Sequence, residues 1–245
     1  RIPPDSEGII RPEYVANALD KDVGLISASH VCYKNGHRLN LERLGDLVKG
    51  SDAFYLVDDY QGCGTRQIDV NALGIDIYVA GAVKFLLGSA GVGFLFVKED
   101  LVESLHPTIT GWFGQKASYE MEIEAHEEAI DASRFQIGTP SVSAIYESLA
   151  GLNLIKSVGI YNVEKWISYI TNLVFERLTE EGFVLATPLH PDNRAAQVAI
   201  KAVDGPRVVN ELEKRGIITT TRDNNIRTAW HFYNTIEDID ALVAA

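Results

Sequence analysis

Lys84 stands alone in the most apolar part of the sequence. It is the one charged residue in the 21-residue segment from Ile77 to Val97. Removing an unpaired ammonium group from water is costly, and a buried lysine commonly responds by losing its proton. A neutral lysine amine is a nucleophile that can condense with a carbonyl group. The placement of Lys84 therefore predicts amine chemistry, and the alternative is a strand-end lysine that extends its ammonium group into solvent.

Two further charged residues could serve such an amine. Asp58 ends the apolar segment AFYLVD, and Arg227 lies far downstream in IRTAWHFYN. An aspartate can keep the nitrogen of a pyridine ring protonated, and an arginine can bind a substrate carboxylate through two hydrogen bonds. An aldehyde cofactor with a pyridine ring would use all three residues. Asp58 could instead be a turn or helix-cap residue, and Arg227 could be part of a surface ion pair.

The segments around these residues have the length and composition of buried strands. An amphipathic helical pattern follows the first of them, with Leu41, Leu44, Leu47 and Val48 on one face. Alternation of apolar strands and amphipathic helices predicts an α/β fold with a mainly parallel sheet. Ligands of such sheets bind where the carboxyl ends of the strands meet, so Asp58 and Lys84 are expected to face one cleft. The predicted strands are GLISASHV (24–31), AFYLVDD (53–59) and IDIYVAG (75–81).

The apolar segment 77–97 is long enough to cross a membrane. Its four glycines, its central lysine and its β-type ends instead favour two strands joined by a functional turn. We therefore expect GVGFLFV to return antiparallel beside IDIYVAG.

The composition limits the classes of function. Hydrophobic residues make up 46% and charged residues 23% of the 245, and the net charge is −12. Without a basic stripe, the sequence predicts neither a nucleic-acid partner nor a membrane partner. Cys32 and Cys63 form no CxxC pair, so no zinc or redox motif is indicated. With no signal-peptide pattern, we expect a reducing, cytoplasmic location, and the first residue, Arg1, suggests a part of a longer chain.

The second half of the chain changes character. Six acidic residues lie within 120–131, which favours a solvated surface over a metal site because nothing there fixes ligand geometry. Long helical patterns begin near residue 142, and short strands and helices follow them. We therefore expect part of a large domain at 1–141 and a smaller α+β domain at 142–245. Strands are expected in FVLATP (183–188), AAQVAIKAV (195–203), IITTTRD (217–223) and IRTAWHFYN (226–234), and helices in PRVVNELEKRG (206–216) and IEDIDALVAA (236–245).

Four blocks of the sequence, in order, resemble the class-V aminotransferase and cysteine desulfurase family of fold-type I pyridoxal-phosphate enzymes. The family includes kynureninases and epimerase-like relatives. The resemblance covers nearly the whole chain and implies the family's cofactor-binding domain, incomplete at its amino terminus, followed by a smaller domain. The blocks are ISASHVCYKNG, the long block YLVDDYQGCGTRQIDVNALGIDIYVAGAVKFLLGSAGVGFLFV, RFQIGTPS and RDNNIRTAWHFYNTIEDIDALV.

The resemblance implies a role for each of five residues. Lys84 matches the lysine that forms the Schiff base with pyridoxal 5'-phosphate, and Asp58 matches the partner of the pyridine nitrogen. Gln61 matches a residue near the phenolic oxygen of the cofactor, and Arg227 matches the arginine that binds the substrate carboxylate. Thr139 matches a threonine that reaches the cofactor phosphate of the partner subunit, which implies a homodimer.

The sequence also departs from the family pattern. Gly81 and Val83 stand where family members often carry a hydroxyl residue and a histidine that help to bind phosphate. The segment RGIITTTRDNNIR lacks the cysteine that a desulfurase needs, so an aminotransferase-like or lyase-like enzyme is expected. A catalytically incomplete relative that serves as a scaffold or dimer partner is the alternative. A nucleotide-binding oxidoreductase is disfavoured because GSAGVG does not have the GxGxxG spacing.

Overall fold

A computed structural model describes all 245 residues and contains two separate sheets. The first sheet has the order β1-β2-β3-β4, and the second, smaller sheet has the order β5-β7-β6. The first sheet is parallel from β1 to β3, and β4 returns antiparallel beside β3. The strands are β1 Leu25–Ser29, β2 Phe54–Asp58, β3 Ile77–Gly81, β4 Gly93–Val97, β5 Gln197–Ile200, β6 Thr220–Arg222 and β7 Asn225–Ala229.

Seven α-helices accompany the sheets. Two short ones pack beside the first sheet and a third short one follows β4. Two long ones follow one another in the middle of the chain, and the last two flank the second sheet. They are α1 Pro12–Asn17, α2 Leu41–Val48, α3 Glu99–Val102, α4 Val142–Val158, α5 Ile160–Glu180, α6 Gly205–Lys214 and α7 Ile236–Val243.

The core of the first sheet lies between the sheet and α2. The side chain of Asn40 accepts a hydrogen bond from the backbone N–H of Arg43 and so caps the start of α2. The helix then presents Leu41, Leu44 and Val48 to the sheet, where all three are buried. This packing fixes β1 and β2 side by side, with their carboxyl ends at one edge.

A second core joins α5 and α7 to the small antiparallel sheet. Its members include Ile170 and Val174 of α5, Val198 of β5 and Ile239 of α7, all of which are fully buried. A third, smaller cluster packs the residues that follow β3 against α4 and α5, with Phe85 and Leu86 among them. The segment after β3 is therefore tied to both long helices.

The expectations for the first sheet are confirmed. Ile77–Gly81 and Gly93–Val97 form an antiparallel pair, as the glycine-rich segment between them predicted. None of the helices combines the length and hydrophobicity that crossing a bilayer demands. The acidic segment 120–131 is exposed over most of its length.

Two strand expectations are wrong in detail. Residues 183–188 form no strand, because only Leu185 makes an isolated β-bridge, to Ile200. The last strand ends at Ala229 rather than continuing to Asn234, since the chain leaves the sheet at Trp230. The division at residues 141 and 142 stays a prediction, and α4 begins at Val142.

Candidate functional site

The candidate site lies at the edge of the first sheet where β2 and β3 end. Asp58 is the last residue of β2, and Lys84 comes three residues after Gly81, the last residue of β3. The two strands are adjacent and parallel, with Asp58 opposite Val79. The carboxylate and the amine therefore leave neighbouring strands at one edge of the sheet.

The Lys84 side chain is exposed, so the expectation that it is buried is wrong. The reason is that residues 82–92 form a turn beyond the sheet rather than a part of its interior. The pKa of Lys84 is nevertheless lowered, first by partial loss of solvent and then by the positive charges of Arg227 and Arg222. Asp58 acts in the opposite direction and raises this pKa. Asp58 and Arg227, the two charged residues expected beside Lys84, thus both shift the pKa of its amine.

The turn that carries Lys84 is tight and strained. The backbone N–H of Leu87 donates to the carbonyl oxygen of Lys84 at 2.9 Å, and that of Gly88 donates to the carbonyl oxygen of Ala82 at 2.8 Å. Leu87 adopts φ 56°, a left-handed conformation that costs a residue with a Cβ about 1–2 kcal/mol. Such strain persists only where surrounding contacts impose it.

Helix α4 supplies part of that support. The Oγ atom of Ser148 accepts a hydrogen bond from the backbone N–H of Ser89 at 3.0 Å. A Cβ atom at Gly151 would overlap the carbonyl groups of Leu86 and Leu87. Glycine at 151 therefore lets the helix backbone approach the Lys84 turn closely.

His231 supports the turn from the side of the second sheet. Its ring is buried and forms a 2.8 Å hydrogen bond from Nε2 to the carbonyl oxygen of Phe85, while Nδ1 accepts the backbone N–H of Phe232. Burial lowers the pKa of His231, and its two partners are those of a neutral ring protonated at Nε2. No local sequence pattern indicates this role, because His231 is 146 residues away from Phe85.

Asp58 and its neighbour Asp59 have different surroundings. Asp58 is half-buried, and its Oδ1 atom accepts the backbone N–H of Tyr60 at 2.9 Å. This hydrogen bond is the one expected if Asp58 is a turn residue, the alternative named for it above. The second carboxylate oxygen has no partner within the chain.

Asp59 is fully buried and accepts two short hydrogen bonds. His30 contacts its Oδ1 atom at 2.7 Å, and the hydroxyl group of Tyr78 donates to its Oδ2 atom, also at 2.7 Å. Burial raises the pKa of Tyr78 and Asp59 raises it further, so the phenol stays protonated and donates. Asp59 is therefore the carboxylate that holds the strand ends together.

Tyr60 is a site residue that the sequence did not reveal. The Nζ atom of Lys84 lies 4.5 Å from the centre of the Tyr60 ring, within range of a cation–π interaction. The same ring occupies the space of a side chain at position 81, since a Cβ atom on Gly81 would overlap it. Gly81, which departs from the family pattern, is thus explained by the ring of Tyr60.

Gln61 and Arg227 connect the site to the second sheet. The Oε1 atom of Gln61 accepts a hydrogen bond from the side chain of Gln197, in β5, at 2.9 Å. Arg227, within β7, donates from Nη1 to the carbonyl oxygen of Tyr33 at 2.6 Å and from Nε to Oγ1 of Thr220 at 3.3 Å. No carboxylate of the chain lies within ion-pair distance of Arg227, which leaves its charge unpaired.

Thr139 makes no hydrogen bond to the other four residues. It is exposed in the loop before α4, and its side chain makes no hydrogen bond within the chain. Its only structural role in this chain is that of a loop residue before Pro140.

Comparison with known proteins identifies the family. The protein-family model described as "Aminotransferase class-V" matches residues 1–242 of the sequence. The chain belongs to the class-V aminotransferase family. The resemblance seen in the four sequence blocks is therefore confirmed.

The relatives of this class-V chain carry several different activities. An uncharacterized aminotransferase, YcbU, of Bacillus subtilis is 30% identical over 236 residues, which are 96% of this chain and 62% of YcbU. A kynureninase of Pseudomonas fluorescens is 24% identical over 88% of this chain and 53% of its own length. The chain thus spans only about half to two thirds of the relatives it matches.

Solved structures confirm the α/β fold. An apo cysteine desulfurase from Thermococcus onnurineus NA1 superposes with a TM-score of 0.89 at 20% identity, over 99% of this chain and 64% of that one. A C-DES mutant with glycine covalently linked to its PLP cofactor has a TM-score of 0.83 at 24% identity, over 95% of this chain and 62% of that one. At these identities the likeness establishes the fold.

Proposed function

We propose that this class-V chain belongs to a pyridoxal-phosphate-dependent enzyme that acts on an amino acid through Lys84. The observation that carries the proposal is the placement of Lys84, which follows β3 with a lowered pKa and lies within the electrostatic reach of Asp58 and Arg227. Family membership supports the same conclusion.

The donor set fits this cofactor. A lysine amine with a lowered pKa suits an aldehyde, a half-buried carboxylate with a free oxygen suits a pyridine nitrogen, and cationic side chains around Lys84 suit a phosphate. When bound, pyridoxal phosphate supplies an aromatic ring that withdraws electrons from the α-carbon of an amino acid. Lys84, Asp58 and Gln61 would hold it in this chain.

Each residue contributes through its own chemistry. The Lys84 amine would hold the aldehyde group of the cofactor and, when free, would accept a proton from the α-carbon of the substrate, because its lowered pKa favours the neutral base. The carboxylate of Asp58 keeps the ring nitrogen protonated. The unpaired guanidinium group of Arg227 binds the substrate carboxylate, since a fork of N–H donors matches its two oxygens.

We propose further that the enzyme is a homodimer with a shared active site. Thr139 is exposed and has no hydrogen-bond partner within the chain, in keeping with a contact to a second subunit. Large apolar residues of the segment 109–146, which contains Thr139, are also exposed: Ile109, Ile123, Ile130, Ile137 and Tyr146 are each at least 58% exposed. Light scattering of the purified protein tests this part, and a monomeric mass at micromolar concentration would contradict it.

An aminotransferase-like or lyase-like reaction is favoured over sulfur transfer from cysteine. The segment from Arg215 to Arg227, which precedes the substrate arginine, contains no cysteine. Cys63 is half-buried, and burial raises the pKa of its thiol, which disfavours the nucleophilic thiolate. Absorbance changes on addition of single amino acids would show which substrate the site accepts.

Covalent trapping at Lys84 tests the proposal. The protein is incubated with pyridoxal phosphate, reduced with borohydride, digested and analysed by mass spectrometry. We expect the pyridoxyl group on Lys84, its loss in Lys84→Ala, and its retention in Lys98→Ala, a matched exposed lysine that follows β4. A label on another residue, or no label with folded protein, would contradict the proposal.

A further inference from the structure

Arg194 is a buried cation outside the candidate site. It follows the short 3-10 helix Pro191–Asn193, and its guanidinium group stacks on the ring of Phe175 at 4.0 Å. The residue is only 9% exposed, and its Nε and Nη1 atoms are buried without a hydrogen-bond partner. Unpaired buried donors are rare in native structures and commonly indicate an ion or a water molecule at the site.

No acidic residue of the chain compensates this charge directly. Arg194 takes part in none of the ion pairs, although Arg66 and Glu164 form one nearby at 2.7 Å. Burial lowers the pKa of Arg194, and Glu176, which is exposed, opposes this shift from a distance. A buried charge without a partner is unfavourable, so a bound anion at this position would stabilise the fold.

A polar pocket of about 260 Å³ adjoins Arg194. Of its fourteen lining residues, ten are polar, charged or proline and four are hydrophobic. Arg38 also lines it and uses its Nε and Nη2 atoms on the carbonyl oxygen of Asp192, so that its charge meets no carboxylate there. The carboxylate of Asp192 is exposed and lies 3.7 Å from His190.

The lining also holds Arg66 and Glu164, which form an ion pair with each other, and several uncharged donors. The hydroxyl group of Ser168 and the side-chain amide of Asn172 face the pocket from α5, and neither forms a hydrogen bond within the chain. Thr65 also lines the pocket, but its hydroxyl group already donates to the carbonyl oxygen of Gly62 at 2.6 Å. Two arginines with uncompensated charge and two free neutral donors match the oxygens of a small anion.

We propose that this pocket binds a small oxyanion, a phosphate or a carboxylate, with Arg194 as its main partner. The site goes beyond the proposed function, since Lys84, Asp58 and Arg227 do not line the pocket. Its occupant bridges Arg194, which precedes β5, and the α5 residues Ser168 and Asn172.

Isothermal titration calorimetry tests the site. The folded chain is titrated with inorganic phosphate and, separately, with acetate, each against chloride at the same ionic strength. We expect saturable binding of phosphate or of acetate, and its loss by at least about tenfold in Arg194→Met, which keeps an apolar stem over Phe175. Arg207→Met, at an exposed arginine of α6, is the matched control and should bind like the parent protein.

Two further variants keep the result interpretable. Lys84→Met separates this pocket from phosphate held at the candidate cofactor site, because the proposal expects the signal to survive that change. Ser168→Glu places a carboxylate in the pocket from an exposed position of α5, and it should weaken anion binding at least about tenfold even if Arg194→Met fails to fold. No saturable binding, or equal affinity in Ser168→Glu and the parent, would overturn the proposal.

Discussion

The adjacent aspartates 58 and 59 should respond in opposite ways to removal of their carboxylates. Asp59→Ala leaves the buried ring nitrogen of His30 and the hydroxyl group of the half-buried Tyr78 without their acceptor. Asp58→Ala removes one acceptor, that of the Tyr60 backbone N–H, at a half-buried position. We therefore expect the loss of the Asp59 carboxylate to lower the free energy of unfolding, and the loss of the Asp58 carboxylate to weaken cofactor binding.

The expected magnitudes follow from these contacts. An unsatisfied buried donor costs about 1–3 kcal/mol, so Asp59→Ala should reduce the free energy of unfolding by about 2–6 kcal/mol. The single hydrogen bond lost in Asp58→Ala is worth about 0.5–1.5 kcal/mol, because water can replace the carboxylate there. The two substitutions should therefore differ by at least about 0.5 kcal/mol in stability.

Urea unfolding followed by circular dichroism measures the stability of both variants, and absorbance after addition of pyridoxal phosphate measures cofactor binding. Asp58→Ala should fold and unfold nearly like the parent protein but lose the cofactor spectrum. Equal loss of stability in the two variants would refute the assignment of separate tasks. So would an unchanged cofactor spectrum in a folded Asp58→Ala protein.

Two other predictions concern the immediate surroundings of the amine. Arg227→Met should raise the pKa of Lys84 and Asp58→Asn should lower it, because the arginine lowers and the aspartate raises that pKa. The rate of acetylation of Lys84 as a function of pH, followed by mass spectrometry without cofactor, measures both shifts. A shift of either variant in the other direction would contradict the placement of Arg227 and Asp58 around the Lys84 amine. Gly81→Ser should lower the free energy of unfolding by about 1–2 kcal/mol by displacing the ring of Tyr60. In a Tyr60→Ala background the same substitution should cost much less. If urea unfolding shows that the costs of the two substitutions simply add, the two positions do not touch.

The sequence contained enough information to predict the first sheet and the placement of Asp58 and Lys84 at its edge. Short apolar segments bounded by turn residues specify strands, and α2 is specified by the spacing of its leucines. The family resemblance rests on residue types in a fixed order. Neither inference depends on how side chains pack against distant parts of the chain.

The different surroundings of the two aspartates could also have been predicted. Side chains alternate between the faces of a strand. Along β2 Tyr55 and Val57 are buried, and the next residue on the same face is Asp59. Asp58 then falls on the other face with Leu56. Alternation thus selects the buried carboxylate without any knowledge of its partners.

Other features depend on contacts that no local pattern contains. The exposure of Lys84 was missed because a count of apolar residues does not show where the chain turns away from the sheet. The fit of the Tyr60 ring against Gly81 joins the turn after β2 to the end of β3, and the hydrogen bond from His231 to Phe85 joins the segments that follow β7 and β3. These contacts exist only after the strands have assembled.

The Lys84 turn combines a fixed backbone with a free side chain. Its backbone is held by Ser148 of α4 on one side and by His231, beyond β7, on the other, and this support maintains the strained conformation of Leu87. The amine itself makes no hydrogen bond within the chain and rests against the ring of Tyr60. A residue that must exchange one covalent partner for another needs a mobile amine, and it needs an anchored backbone to return that amine to the same place. Because both anchors belong to the chain beyond residue 141, a movement of that part relative to the first sheet would reposition Lys84.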